Sequence, residues 1–199
     1  MTETRDQFLQ AARDAFAARG FYGTSIAHIV ETLPFTKQAL LHHFGSKEKL
    51  YGEVLQQISE RLMRELDAVA DAHSQPERRF EATFLAFFES ARSHAADTHL
   101  LMRELLDNQR RAETARNWYL QTFLERLTRM AQAVPGMQFD NKQAALAFVY
   151  QLLGAINYFV VSTPTLQNMF GPRDHARLQR QFATQLKRFM QVVAPQASL

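Results

Sequence analysis

Apolar residues recur along this chain three and four positions apart almost from end to end, the spacing of one helical face, with little of the alternation that marks a strand. Phe8, Leu9, Ala12 and Phe16 define a first helix, closed by the link Gly20-Phe21-Tyr22-Gly23. Thr24 and Ser25 then offer an N-cap to a short second helix with Ile26, Ile29, Val30 and Leu33 on one side. Pro34 stops it, because a proline pushes the preceding residue out of the helical region. Thr36 caps a third short helix whose Leu40 and Phe44 point inward, and Gly45 is placed to supply the left-handed residue that ends it. Ser46 caps a long fourth helix, along which Leu50, Val54, Ile58, Leu62, Leu66 and Val69 form a stripe running from a small N-terminal unit into a larger one.

Downstream, helices are predicted from Pro76 and Glu77 to His94, from Thr98 to Leu106 with Asp97 as cap, and from Glu113 to Val134, where Pro135-Gly136 ends the run. Another starts after Asp140 and holds the most apolar stretch, Ala144 to Val161. Those 18 residues are at the short limit for crossing a bilayer, carry the amides of Gln151 and Asn157, and lie between amphipathic segments. They read as a helix buried on all sides, with no membrane partner. Thr163 to Arg173, with two prolines and a glycine, reads as a loop. A last helix, from Asp174 to about Val193, places Leu178, Phe182, Leu186, Phe189 and Val193 on one face. Two adjacent helices with wide apolar faces point to a homodimer closed as a four-helix bundle through the last two helices.

A chain of 199 residues can bury a real core without staples, and the absence of cysteine removes disulfides, thiolate zinc sites and thiol catalysis together. The segment Met1 to Asp6 is polar and acidic where an export signal starts basic and turns apolar, so a cytoplasmic protein is expected. The formal net charge of +3 permits nucleic-acid binding without demonstrating it. Placement says more than the total: in the nearly neutral first fifty residues, the cations cluster late, between Lys37 and Lys49.

That cluster coincides with Ser25 to Phe44, two short helices joined by a brief turn, the layout in which one helix braces a second that enters the major groove of double-stranded DNA. Its core would be Ile26, Ile29, Val30, Leu40 and Phe44 packed on Phe8, Ala12 and Phe16, leaving Lys37, Gln38, Leu41, His42 and His43 facing outward. Gln38 can pair with adenine through two hydrogen bonds, Lys37 can reach guanine or phosphate, His42 or His43 can donate to either, and Leu41 can touch a thymine methyl. Lys47 sets an ammonium beside the free N–H groups of the fourth helix and suits a phosphate oxygen; Thr24 and Ser25 can do likewise, and Thr36 joins the set at the start of the third helix. The fold class is therefore all-α with about nine helices: a three-helix, helix-turn-helix DNA-binding domain over residues 1–46 and a helical ligand-binding and dimerisation domain over 47–199.

Two blocks, Ala17-Ala18-Arg19-Gly20-Phe21-Tyr22-Gly23-Thr24-Ser25 and Ala39-Leu40-Leu41-His42-His43-Phe44-Gly45-Ser46-Lys47, together with their separation, resemble the signature of TetR/AcrR-type regulators. The resemblance covers about the first quarter of the chain, and the remainder is similar in helical pattern and length. It implies a dimer on a palindromic operator, usually repressing, with a small molecule in the C-terminal domain that moves the two reading helices apart. The chain departs from the family in its turn, Pro34-Phe35 where Gly-Val is common, and at Leu41, where a phosphate-contacting tyrosine is common. Gln38, in place of a small residue, adds a base contact.

In the C-terminal half Phe84, Phe88, Met102, Trp118, Tyr119, Phe123, Phe148 and Tyr158, with Phe87 and Leu105, are candidates to line a cavity for a small apolar or aromatic effector. Aromatic residues at helical spacing are first of all core, so packing is the plainer role of each. Arg103, Gln151 and Asn157 can orient a ligand, cap helices or bridge subunits. His94, Asp97 and His99 straddle a helix end with no further metal ligand beside them, and His42 and His43 point apart, so no metal is expected. No nucleophile elbow, H-E-x-x-H, phosphate-cradling glycine loop or paired carboxylates mark an enzyme, and no cofactor is expected beyond the effector. The alternative reading is a helical small-molecule-binding or interaction protein that keeps the helix-turn-helix for packing and does not bind DNA.

Overall fold

A computed structural model describes residues 2–107 and 120–193, and within them the chain forms helices joined by short links. In order these are α1 (Thr2–Gly23), α2 (Ile26–Val30), α3 (Lys37–Phe44), α4 (Lys47–Ala72), α5 (Pro76–Ser93), α6 (Ala95–Asp107), α7 (Gln121–Gln132), α8 (Lys142–Val161) and α9 (Thr163–Val193). Each predicted helix has a counterpart, and the expected start of one at Glu113 lies outside the described residues.

Packing divides the described chain into two units. The first holds α1 to α3, α4 as far as Glu60, and α6; the second holds α4 from Arg61, α5, α7, α8 and α9. This boundary differs from the one expected at 46/47, because Leu50, Tyr51, Val54 and Leu55 bury themselves with the N-terminal helices. The Tyr51 ring meets Phe16 edge-on at 4.8 Å and Phe21 at 5.0 Å.

In the first unit Phe8, Ala12 and Phe16 of α1 are fully buried, with Ile29 and Val30 of α2 and Leu40 and Phe44 of α3 beside them. Ile26, expected in this core, is half-buried. Phe35, also half-buried, lays its ring against that core 5.1 Å from the ring of Phe8, so the residue after Pro34 holds the turn. Three polar links tie α6 to its neighbours. The Arg13 guanidinium lies 3.4 Å from the buried Asp97 carboxylate, Arg103 donates to the carbonyl of Ala18 at 3.1 Å, and the Tyr51 hydroxyl donates to Glu104 at 2.6 Å.

In the second unit Phe80, Phe84 and Phe88 of α5 form a buried row. Around it lie Phe123 and Leu127 of α7, Phe148, Leu152, Ile156 and Phe159 of α8, and Leu186 and Met190 of α9. Phe159 and Phe182 stack at 4.3 Å. The segment 163–173, expected as a loop, is helical on both sides of one break at Gly171, whose φ of 81° and ψ of 159° no other residue type adopts without strain. Pro164 and Pro172 each fall in the first turn of a helical stretch, where a missing N–H and a fixed φ are harmless, so they start helices rather than prevent them.

Leu40 and Gln38 sit two residues apart on opposite sides of α3, which makes the packing testable. Leu40→Ala should lower the unfolding free energy by ~2–5 kcal/mol, while Gln38→Ala should stay within ~0.5 kcal/mol, both read from urea denaturation. Equal losses would contradict the inward placement of Leu40.

Candidate nucleic-acid interface

The exposed face of α3 is made by two caps and one buried side. The Thr36 hydroxyl accepts from the Ala39 N–H at 3.2 Å and starts α3. Gly45, at φ 77°, ends it, with its N–H on the Leu41 carbonyl at 2.7 Å. Between these caps Leu40 and Phe44 face inward, so Lys37, Gln38, Leu41 and His42 are left exposed as one stripe. Leu41 keeps 41 % of its surface open, an apolar side chain within an otherwise polar stripe. His43 is half-buried at the flank, its ring 5.7 Å from Phe8, and so belongs partly to the core.

Ser25 caps α2 by accepting from the His28 N–H at 3.2 Å and remains exposed. Thr24 does not share that position. It is buried, and its hydroxyl donates to the Gly20 carbonyl at 2.8 Å, with the Ala15 carbonyl at 3.1 Å, so the expectation of a phosphate contact from Thr24 is corrected to a bond that closes the end of α1.

Lys47 is also drawn inward. Its ammonium donates to the carbonyls of Phe21 and Thr24, each at 3.0 Å, and lies 4.2 Å from the centre of the Phe21 ring. These carbonyls lie at and just beyond the C-terminal end of α1, where a cation is favoured. The N-terminal end of α4 is served from its own sequence. Ser46 accepts from the Lys49 N–H at 3.2 Å, and the Glu48 carboxyl is held below its ordinary range by a backbone N–H bond, then by the Ser46 hydroxyl and the Lys47 charge. Two exposed residues extend the face beyond the expected set. Tyr22 has half its surface open, with its ring edge-on to Phe21 at 5.3 Å, and Lys49 lies over Gly45. The lysine cluster in the sequence signals the second; an aromatic residue between two glycines is the only signal for the first.

The residues expected around an effector do not form one group. Phe84, Phe88, Phe123 and Phe148 are buried core of the second unit. Met102 and Arg103 lie on α6 in the first unit, half-buried and exposed, and Arg103 is engaged with Ala18. Asn157 is half-buried, Tyr158 is 72 % exposed on the outer side of α8, and Trp118 and Tyr119 lie outside the described residues. A cavity of about 10 Å³, room for roughly one water, opens between Leu62, Leu66, Thr83, Phe87 and Phe123, with Glu65 at its edge. Asp97, considered as a metal ligand, is paired with Arg13.

A small helical unit presenting one polar helix on a buried aromatic base is the architecture of a helix-turn-helix DNA-binding module. Residues 8–54 match the family described as bacterial regulatory proteins, tetR family, so the likeness to that family lies in this N-terminal quarter of the chain. It is similar to the transcriptional repressor KstR2 of Mycolicibacterium smegmatis, 33% identical over 86 residues that cover 43% of this chain and 42% of that repressor. It is 48% identical to the transcriptional regulator RutR of Escherichia coli over 50 residues, 25% of this chain and 24% of RutR. The matched stretches thus span less than half of these relatives. The fold continues further. The solved structure of the ketosteroid transcriptional regulator KstR2 of Mycobacterium tuberculosis superposes with a TM-score of 0.68 over 94% of both chains, at 20% identity. The fatty acid degradation regulator FadR of Bacillus halodurans gives 0.72 over 92% of this chain and 94% of its own, at 15% identity.

Replacing Lys47 by methionine keeps the stem and removes the two charged bonds to the α1 carbonyls. Lys47→Met should destabilise the protein by ~1–3 kcal/mol, read from thermal unfolding, whereas Lys49→Met should be near neutral. Parity between the two would show that Lys47 does not hold α1.

Proposed function

We propose that this protein is a ligand-responsive transcriptional regulator of the cytoplasm, without catalytic activity. It binds a palindromic operator in double-stranded DNA as a homodimer, represses, and leaves the operator when a small apolar or aromatic effector binds its C-terminal unit. The observation that carries the reading is the exposed stripe Lys37, Gln38, Leu41 and His42 on a helix whose opposite side is locked into an aromatic core. A helix kept only for packing has no need of a cation, an amide, an imidazole and a bare leucine in one row. In the groove, Gln38 takes an adenine edge, Lys37 a guanine or a phosphate, and Leu41 a thymine methyl, with Ser25 and Thr36 on the backbone.

The homodimer is supported by α8 and α9. Along α8 one side is buried and the other, Ala147, Tyr150, Gln151, Gly154, Ala155 and Tyr158, is exposed, at the i, i+3, i+4, i+7 spacing of a continuous face. On α9 Leu178, Phe189 and Val192 are exposed as well. A helix expected to be buried on all sides is, within one chain, buried on one side only, and a second copy gives the outer face its cover. No membrane is needed for it.

Response to an effector is supported by the attachments of α6. α5 ends at Ser93 and α6 begins at Ala95, so a shift of the α5 row carries directly into α6. The links Arg13 to Asp97, Arg103 to Ala18 and Tyr51 to Glu104 pass it on to α1 and α4. Because both half-sites, about one DNA turn apart, must be met together, a small change in separation removes most of the bivalent affinity. The effector itself belongs to the chemistry of the aromatic core, and relatives of known fold span steroid and fatty acid metabolism by name.

Two measurements test these parts separately. Binding of the protein to DNA from its own promoter should weaken steeply with salt, and a Lys37→Ala, Gln38→Ala double variant should lose at least tenfold in affinity with unchanged thermal stability. Binding no tighter than to random DNA would leave the small-molecule-binding alternative. Tyr158→Glu, which sets a charge in the α8 face, should convert a dimer into a monomer in sedimentation analysis; an unchanged dimer would move the interface elsewhere.

A further inference from the structure

On the second unit, away from its aromatic core, a cleft of about 270 Å³ opens between the end of α4, the start of α5 and the last turns of α7. Arg79, Arg126 and Arg129 line it with Pro76, Met130 and Ala133, and no carboxylate is among the lining residues. Three guanidinium groups around one apolar floor repel one another unless something negative lies between them. Their existing partners leave that need unmet. Arg79 spends its Nε on the His73 carbonyl at 2.9 Å, which fixes the plane of the fork and leaves both Nη groups for another acceptor. Arg126 gives one Nη to Asp67 at 2.7 Å. Arg129 is exposed and its side chain forms no ion pair or hydrogen bond among the described residues. Asp67 is thus the one carboxylate paired with any of the three among the described residues, and Pro76 opens the 18-residue α5, whose first turn also carries Glu77.

We propose that this cleft binds a small organic anion, its carboxylate or phosphate head on Arg79, Arg126 and Arg129 and its apolar body, of about the size of one ring, against Pro76, Met130 and Ala133. A guanidinium fork matches the oxygens of either head in a two-bond geometry. The volume is near the lower end of the roughly 300–1,000 Å³ of small-molecule sites, which limits the body to something compact. The apolar floor explains why an organic anion is preferred over a bare one. The site is separate from the effector cavity expected at the aromatic core, so the protein has two places at which small molecules of different charge register.

The full-length chain is titrated by calorimetry with phenyl phosphate, benzoate and inorganic phosphate, beside an Arg79→Gln, Arg129→Gln double variant and Arg129→Gln alone. The parent should bind phenyl phosphate or benzoate at least tenfold more tightly than inorganic phosphate, and the preferred head identifies the class of acid. The double variant should lose at least tenfold in that affinity, with a smaller loss in the same direction for the exposed Arg129→Gln, whose fold is not at stake. The proposal is overturned by unchanged affinity in both variants, which would put the ring compounds elsewhere, by inorganic phosphate binding as tightly as phenyl phosphate, which would leave an adventitious ion only, or by no binding of either aromatic acid at millimolar concentration.

Discussion

Phe8 holds three stretches of the first unit at once. Its ring, fully buried, lies 5.1 Å from Phe35 in the turn, 5.7 Å from His43 and 6.3 Å from Phe44 on α3. Burying one such side chain is worth roughly 1.5–3 kcal/mol, and well-placed aromatic pairs add ~0.5–1.5 kcal/mol each. The rotation of α3 about its own axis is therefore set by contacts stronger than any single bond on its outer surface. With a turn of about 100° per residue, fixing Leu40 and Phe44 inside leaves Gln38 and His42 no choice but the far side, and puts Leu41 and His43 on the two shoulders. The chemistry of the outer face of α3 is a consequence of its back.

This is why so much of the first unit is legible from sequence. Leu40 and Phe44 are four apart, Thr36 and Gly45 bracket them, and each signal is local, so periodicity and capping suffice to orient the helix. Phe35 is different. Nothing next to it in the chain says that its ring packs against the core, because its partner, Phe8, lies 27 positions earlier. The turn that departs from the Gly-Val common in TetR/AcrR-type regulators gains an aromatic ring that packs on Phe8. The loop expected at 163–173 failed for a related reason. Proline counts as a breaker only when its position in the turn is unknown, and Pro164 and Pro172 occupy the one place in a helix that tolerates them.

Lys47 and Thr24 mark the limit of reading a site from residue type. A lysine and a threonine at helix starts suit a phosphate, and the sequence shows only the helix each begins. It does not show that the end of α1 lies in front of them, with the carbonyls of Gly20, Phe21 and Thr24 turned toward the same space. Unsatisfied carbonyls at a helix end need donors as firmly as a phosphate does, and they are always present. Lys47 and Thr24 thus close one helix onto the next, and the proposed DNA contacts fall to the residues that the aromatic core pushes outward.

The apolar run in α8 shows the same logic at the scale of a subunit. Hydropathy averaged along the helix reports only that the whole of it avoids water, and cannot divide the inward face of Phe148, Leu152 and Phe159 from the outward face of Tyr150, Gln151 and Tyr158. The difference lies in composition between the faces. The inner one is aliphatic and phenylalanine, which burial within the chain accounts for; the outer one mixes tyrosine, glycine, alanine and an amide, small residues that let a second helix approach and rings whose hydroxyls still find partners at an edge. A lipid-facing surface has no use for that amide, and a water-facing one none for the alanines and rings together. The proposed homodimer supplies a surface of that kind, a second copy of the same face.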